Sequence, residues 1–336
     1  MDGDAKPTAG RYTSTPLIGR EPDCGRNGGL PYRLRQMSGS SPIVFGKAAL
    51  LGVGYMGGSL MLAARAAGCV SYVTGFDIDE AAGLPAMARG VVDAMAITPD
   101  AAVTDAQLVV LAAPVGSLGA LATQIAPHLA KGALVIDIGS VKVSVIEAVR
   151  LGLPATASFV GCHPLAGLES SGVAASDPLL FRGKPCLVCT DGSAPLDIDR
   201  ATAFWQAVGA VPVRADARAH DAFMAAASHL PHVAAFSLAH CLWPQGEELA
   251  QAMPAGASPS SLRDTTRIAG SAPAVWRDIF LANRQHLLPL VDALATSLAS
   301  LRDAIANGDA VALQAFLSTA RSSRRTLIGD GTPGES

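Results

Sequence analysis

The sequence predicts an α/β plus all-α chain, in which a parallel sheet covered by helices on both faces precedes a helical domain. Three observations predict it. From Ile43 onward, apolar strand-like runs alternate with alanine-rich helical stretches. One of those runs, Ala48–Leu51, feeds directly into Gly52-Val53-Gly54-Tyr55-Met56-Gly57, and an uninterrupted helical segment follows. After about Asp191 the strand-like runs nearly vanish and long helical patterns take over. Near-continuous apolar strands joined by helices are the mark of a parallel sheet buried on both faces.

Taken in order, residues 1–41 are rich in Gly, Pro, Arg and Ser, show neither helical nor strand periodicity, and are expected to form a disordered extension. Residues 42–194 are expected to form the sheet domain. Its strands are read at Ala48–Leu51, Tyr72–Phe76, a weak run near Val91–Val92, Leu108–Ala112, Leu134–Ile138 and Phe159–Cys162, with Pro185–Thr190 closing this half. Residues 195–325 are expected to form the helical domain, with helical patterns at Ile198–Val208, Ala217–Leu242, Val275–Asn307 and Asp309–Arg321, and 326–336 a flexible tail.

The turn Gly52–Gly57 has the G-x-G-x-x-G spacing of a Rossmann-type dinucleotide site. The first glycine permits the turn, the second lets a pyrophosphate approach the backbone, and the third lets helix and strand pack closely. Glycine is abundant, with 34 copies in 336 residues, so the motif alone is weak. Its context strengthens it. The next strand ends at Asp77, where an acidic side chain would accept hydrogen bonds from an adenosine ribose, and Pro114 ends the fourth strand at the same sheet edge.

Composition narrows the partners. A net charge of −3 supplies no basic field for nucleic acid or an anionic membrane, and no run of about 18 uninterrupted apolar residues suggests a membrane span. Small molecules and a second copy of the chain are the expected partners, and a cytoplasmic location the default. The six cysteines, Cys24, Cys69, Cys162, Cys186, Cys189 and Cys241, lack zinc-ligand spacing and read as buried thiols, so no metal is expected.

Three clusters could carry chemistry. In Asp137-Ile138-Gly139-Ser140-Val141-Lys142 a strand ends in a glycine turn with a hydroxyl and an ammonium at the next helix, where Ser140 is either an N-cap or a site residue. In Gly161-Cys162-His163-Pro164 a histidine sits at a strand end among small residues, placed for proton transfer or for holding a loop carbonyl. The third cluster comprises Ser228-His229-Leu230-Pro231-His232, Arg267 and Trp276 in the helical half. Pro231 should kink the helix that carries the two histidines, and Arg267 has the planar fork that pairs with a carboxylate.

GVGYMGGSL, the APV after the fourth strand, DIGSVK, GCHPLAG-x-ESSG, SHLPH, DTTRIA-x-S-x-P and WRDIF occur in this order, and together they resemble the prephenate/arogenate dehydrogenases of tyrosine biosynthesis. The resemblance implies an NAD-dependent oxidative decarboxylation of prephenate or arogenate and a homodimer formed through the helical domains. It implies His163 as the catalytic base and Ser140 as the residue orienting it and the substrate hydroxyl. It further implies substrate contacts from Arg267, His229, His232 and Trp276, with Glu169 at the gate of the site. Cofactor contacts fall to Gly52, Gly54, Tyr55, Met56, Gly57, Asp77, Ala113 and Pro114, and Asp77 implies NAD rather than NADP because a carboxylate repels a 2′-phosphate. Leu168 departs from the family pattern, in which a small polar residue is common. The stretch after Trp276 reads as helix, so neither a mutase nor an ACT-type regulatory domain is expected there. β-Hydroxyacid and imine dehydrogenases share the G-x-G-x-M-G start, but their lysine-bearing interdomain motif is not visible. A non-catalytic NAD-binding protein would have no need of Ser140, His163, His232 and Arg267 together.

Overall fold

The computed structural model describes residues 43–167, 172–246, 248, 251 and 259–329; the expected 1–41 extension and Glu169 lie outside them. β1 (Phe45–Leu51) buries Ala48 and Leu50 in one core cluster and Ala49 and Leu51 in another, which is why its sequence shows no alternation. α1 (Tyr55–Ala66) follows, and β2 (Val70–Phe76) returns parallel to β1. α2 (Gly83–Ala88), β3 (Ala94–Met95), α3 (Pro99–Val103), β4 (Leu108–Leu111), α4 (Leu118–Ile125), β5 (Leu134–Asp137), α5 (Val143–Gly152) and β6 (Ser158–Val160) complete a six-stranded sheet. Its order is β3-β2-β1-β4-β5-β6, with every neighbouring pair parallel. The strand order reverses between β1 and β4, the switch point at which such sheets open a ligand crevice.

Several elements differ from expectation, each for a local reason. Val91 and Val92 are buried but not a strand. They follow a turn at Gly90 (φ +69°), Val92 packs on Gly75, and the edge strand forms three residues later. The expected sixth strand breaks at Gly161. Beyond it β7 (Cys162–Pro164) leaves the main sheet and pairs antiparallel with β8 (Pro185–Cys189), to which β9 (Val211–Ala215) adds in parallel. α6 (Pro195–Ala207) crosses from β8 to β9 and buries Phe204 and Trp205 in the core cluster that holds β1. Residues 195–215 therefore belong with the sheets, and the helical half begins near Ala217 rather than at 195.

In that half α7 (Ala217–Met224), a π-helical turn (Ala225–His229) and α8 (Leu230–Leu242) form one rod. Pro231 does not break it, because the wider π turn just ahead absorbs the missing N–H and the bulk of the ring. The rod is 26 residues long and contains an 18-residue window of mean hydropathy 1.2, enough to cross a bilayer by length and composition. It is nevertheless tied to the fold by buried polar contacts from His220, Asp221 and His229. α9 (Ser260–Thr266), a 3-10 turn (Arg267–Gly270), α10 (Pro273–Ala282), α11 (Arg284–Ala306) and α12 (Ala310–Ile328) follow. The single helix expected over 275–307 is split at Asn283, whose backbone (φ −105°, ψ 22°) leaves the helix and whose side chain turns inward. α12 runs past the expected end at 325 and is stopped by Gly329 in the left-handed conformation.

One buried ion pair sets the position of β7. The Lys142 ammonium and the Asp137 carboxylate are both fully buried and pair directly. Lys142 Nζ also donates to the Cys162 carbonyl (2.7 Å), while Asp137 accepts from the N–H groups of Gly139 (2.8 Å) and Cys162 (3.2 Å). The pair thus clamps both backbone groups of the residue before His163. Lys142→Ala is expected to lower stability by about 3–5 kcal/mol, since it strands a buried carboxylate, whereas the Asp137→Leu/Lys142→Met double variant should lose far less. Urea unfolding of the three proteins checks this, and a double variant as unstable as the single one contradicts it.

Candidate active site

At the nucleotide end, Gly52 (φ +101°) abuts β4 so closely that a Cβ would lie 2.6 Å from the Ala112 carbonyl carbon. A Cβ on Gly57 would lie 2.7 Å from the Gly52 oxygen, so both positions require glycine. Gly54, by contrast, faces open space and precedes α1, whose first turn has no side-chain cap. Bare helix N–H groups beside an open glycine are what a pyrophosphate needs. Next to them lies a cleft of about 340 Å³ lined by Val53, Gly54, Asp77, Pro85 and Val173 among others, with no Lys or Arg in its described lining. Asp77 is fixed at its rim by accepting from Val53 N (2.6 Å) and Asp79 N (2.9 Å). The acidic, cation-free rim fits a ribose diol and disfavours a 2′-phosphate, so the residues present fit NAD. Tyr55 is buried, Met56 packs near Gly167, and Ala113 and Pro114 lie just beyond β4 beside Gly52.

The second part of the site is a buried polar chain that the sequence reading missed in large part. His163, only 7% exposed, places Nδ1 2.8 Å from Nε2 of His220. His220 Nδ1 lies 2.7 Å from an Asp221 carboxylate oxygen. The Asp221 carboxylate accepts from the N–H groups of Lys142 (2.8 Å) and Val143 (2.9 Å), and so caps α5 from 79 residues away. This removes the N-cap reading of Ser140, which lies half-buried between β5 and α5. Asn283 Nδ2 donates to the Asp221 carbonyl (2.8 Å) and lies 3.0 Å from Nδ1 of His229. His229 is fully buried, and its Nε2 has no hydrogen-bond partner among the described residues.

His232 bonds the Ser228 carbonyl through Nδ1 (2.9 Å) and stacks on Trp276, with ring centroids 3.4 Å apart, while His229 meets the same indole edge-on at 6.0 Å. These three predicted residues form one wall. α10, which carries Trp276, also reaches the turn after β4, since a Cβ on Gly116 would lie 3.1 Å from Asp278. Arg267 opens the 3-10 turn packed on α8 and is exposed in the single chain.

His220 and Asp221 carried one readable signal, and Asn283 carried none. Ala217, His220, Asp221 and Met224 occupy the buried i, i+3, i+4, i+7 stripe of α7, so two polar residues stand where core residues belong.

The electrostatics favour neutral imidazoles. Burial, reinforced by His220, Lys142 and His229, holds His163 well below the usual histidine range. Burial brings His229 down to about 4 against a smaller opposing pull from Asp221, and burial also lowers His232. For Asp221 burial acts upward, but the hydrogen bonds from His220, Val143 and Lys142 outweigh it and keep the group a carboxylate.

Comparisons with known proteins identify the family. Residues 60–214 match the family model for the prephenate dehydrogenase nucleotide-binding domain, and 216–319 that for the prephenate dehydrogenase dimerization domain. A cyclohexadienyl dehydrogenase of Zymomonas mobilis is 35% identical over 289 residues, covering 85% of this chain and 98% of that protein. A prephenate dehydrogenase of Bacillus subtilis is 31% identical over 295 residues, covering 84% and 75%. The crystal structure of a prephenate dehydrogenase from A. aeolicus with hydroxyphenyl propionate and NAD+ superposes with a TM-score of 0.73 at 27% identity, covering 85% of this chain and all of that one. With both halves matched, the chain belongs to the prephenate dehydrogenase family.

Proposed function

We propose that this protein catalyses the NAD-dependent oxidative decarboxylation of prephenate and/or arogenate, giving 4-hydroxyphenylpyruvate or tyrosine with CO2 and NADH, in tyrosine biosynthesis. The observation that carries the reading is His163, a buried neutral imidazole at the end of the strand that leaves the sheet, with one ring nitrogen engaged and the other left for substrate. Bound NAD supplies the hydride acceptor. His163 takes the ring hydroxyl proton as the carbinol C–H leaves with its electron pair. The electrons of the bond to the ring carboxylate then move into the ring, CO2 departs, and His163 returns the proton to the phenolic oxygen. Aromatisation drives this loss, so the chain's own residues need only bind, orient and move the proton.

Ser140 orients the hydroxyl, and Arg267 grips a substrate carboxylate through its planar fork. His229, His232 and Trp276 form the wall opposite the cofactor, and Glu169 is the acidic residue that the family resemblance assigns to the gate. The catalytic machinery includes titratable groups from both halves, so the reaction requires the halves docked on one another. The protein acts as a homodimer through the helical half. Phe223, Leu238, Leu281, Leu288 and Leu298 are all exposed on the helices of the single chain, and a second copy of the chain would cover such apolar positions.

His163→Asn is expected to lower kcat with prephenate and with arogenate by about 10²–10⁴-fold while NAD affinity is retained, read at the NADH absorbance band; near-normal turnover with both substrates contradicts the assignment. Asp77→Asn should lower the NAD over NADP preference in kcat/KM by roughly 10–100-fold, the worth of hydrogen bonds to a charged acceptor and of the lost repulsion. Parallel assays with the two cofactors decide it, and an unchanged ratio refutes it.

The pH dependence has a definite sign. His163 must be neutral to act, and its value lies well below 6.5, so the acid limb of kcat/KM should fall well below pH 6.5. His229 titrates at about 4 in the folded protein and near 6.5 when unfolded, so the unfolded chain binds more protons between those values and stability drops as the pH falls through that window. Unfolding midpoints and initial rates measured across the same pH series separate the two effects. An acid limb at or above pH 6.5 in the intact protein contradicts the proposed base.

A further inference from the structure

We propose that His220, Asp221 and Asn283 are positioning residues that hold His163 and His229 in opposite tautomers, so that His163 presents a bare Nε2 and His229 a protonated Nε2 to the substrate. The proposal rests on the reading of His163 as the base and assigns three residues that the sequence motifs did not include.

The tautomers follow from which atoms can donate. A backbone carbonyl only accepts, so the Asn283 nitrogen 2.8 Å from the Asp221 carbonyl must donate to it, which fixes the orientation of the amide. The same amide nitrogen faces His229 Nδ1 at 3.0 Å with its second hydrogen, so that ring nitrogen is the acceptor. In a neutral His229 the proton is therefore on Nε2, the atom that is buried and unpartnered among the described residues. An unsatisfied buried donor is costly, and a substrate oxygen accepting from it would relieve that cost.

The other branch runs in the opposite sense. The Asp221 carboxylate already accepts from two backbone N–H groups and can only accept from His220, so Nδ1 of His220 carries a proton. In the neutral His220 its Nε2 then accepts, and His163 must donate from Nδ1 across the 2.8 Å contact. His163 Nε2 is left as a lone pair, the form a general base requires.

When His163 gains the hydroxyl proton at Nε2, the proton between the two rings can move from His163 Nδ1 to His220 Nε2. Proton count and charge are conserved, and the positive charge comes to rest on a ring 2.7 Å from the Asp221 carboxylate. Return of the proton to the phenolic oxygen reverses both transfers. Asp221 thereby offsets the burial and the nearby Lys142 cation that oppose a charged His163.

The test is a two-bond proton–nitrogen correlation spectrum of the full-length, NAD-saturated protein with nitrogen-15 histidine, its rings assigned by the signals lost in His163→Gln and His229→Gln. At neutral pH the expected result is His163 with its proton on Nδ1 and His229 with its proton on Nε2. Finding either ring in the other tautomer, or as an imidazolium, overturns the proposal, and this wild-type measurement does not depend on any variant folding. In Asn283→Asp, whose carboxylate cannot donate, His229 should move its proton to Nδ1 or become charged, with kcat down about tenfold or more and NAD affinity within about twofold. A variant with unaltered His229 signals and unaltered kcat overturns the role of Asn283. Should the wild-type protein oxidise neither prephenate nor arogenate, the catalytic reading fails while the tautomers remain readable, so the two failures are distinct.

Discussion

The geometry of the site depends on one carboxylate, that of Asp221. It accepts the first N–H groups of α5, it holds His220, and its backbone carbonyl receives Asn283. Three elements far apart in sequence are thereby tied to one residue that is itself 2% exposed. A buried charge with no partner would be costly, but hydrogen bonds from two amides and an imidazole compensate it, and each of those bonds fixes something the site needs. The amides set the start of α5 beside Ser140, and the imidazole sets the ring of His163. Loss of this carboxylate would release the start of α5 and the His220 ring together, while Asn283 would keep its backbone partner.

The sheet half was readable because its signals are local. Ala48–Leu51 running into Gly52–Gly57 states strand, turn and helix within ten residues, and Asp77 closes the same unit one strand later. His163 stood out at a strand end before a proline, but that local motif left proton transfer and a loop-carbonyl contact both open, and its place in the buried histidine chain comes from contacts with α7. Elements whose meaning lies in distant contacts were read poorly. α6 has an ordinary amphipathic pattern, and only its packing shows that it covers the sheet rather than opening the helical half. Asn283 reads as one more polar residue in a long helical stretch, yet the chain breaks there because its side chain is needed inside. His220 and Asp221 did stand on the apolar stripe of their helix, and a polar pair on a core stripe is itself evidence of a buried partner.

The two buried carboxylates divide their tasks. Asp137 is matched by the Lys142 ammonium and serves β7 through its backbone, so its charge is spent on structure. Among the described residues no lysine or arginine side chain pairs with the Asp221 carboxylate; its side-chain partner is an imidazole, which can hold one proton or two. A cation beside a fixed carboxylate stabilises it in one state only, whereas an imidazole lets the same carboxylate respond when charge develops nearby. Lys142 thus orders the strand while depressing the basicity of His163, and in the proposed relay Asp221 restores a place for the proton.

This division also explains why the proposed base is built from both halves. β7 delivers His163 with its backbone clamped, but the groups that choose its tautomer, His220 and Asp221, stand on α7, and Asn283 stands between α10 and α11. His163 without α7 would be a buried imidazole free to take either tautomer, including the one that presents N–H where the proposed base needs a lone pair. His229 without Asn283 would have the same freedom. Docking the helical half on the sheet half removes both ambiguities with hydrogen bonds that are already paired before substrate arrives, so the ordering cost is met in folding and not in each catalytic cycle. The glycine turn secures the oxidant by the same means, with backbone held in one conformation by contacts that admit no side chain.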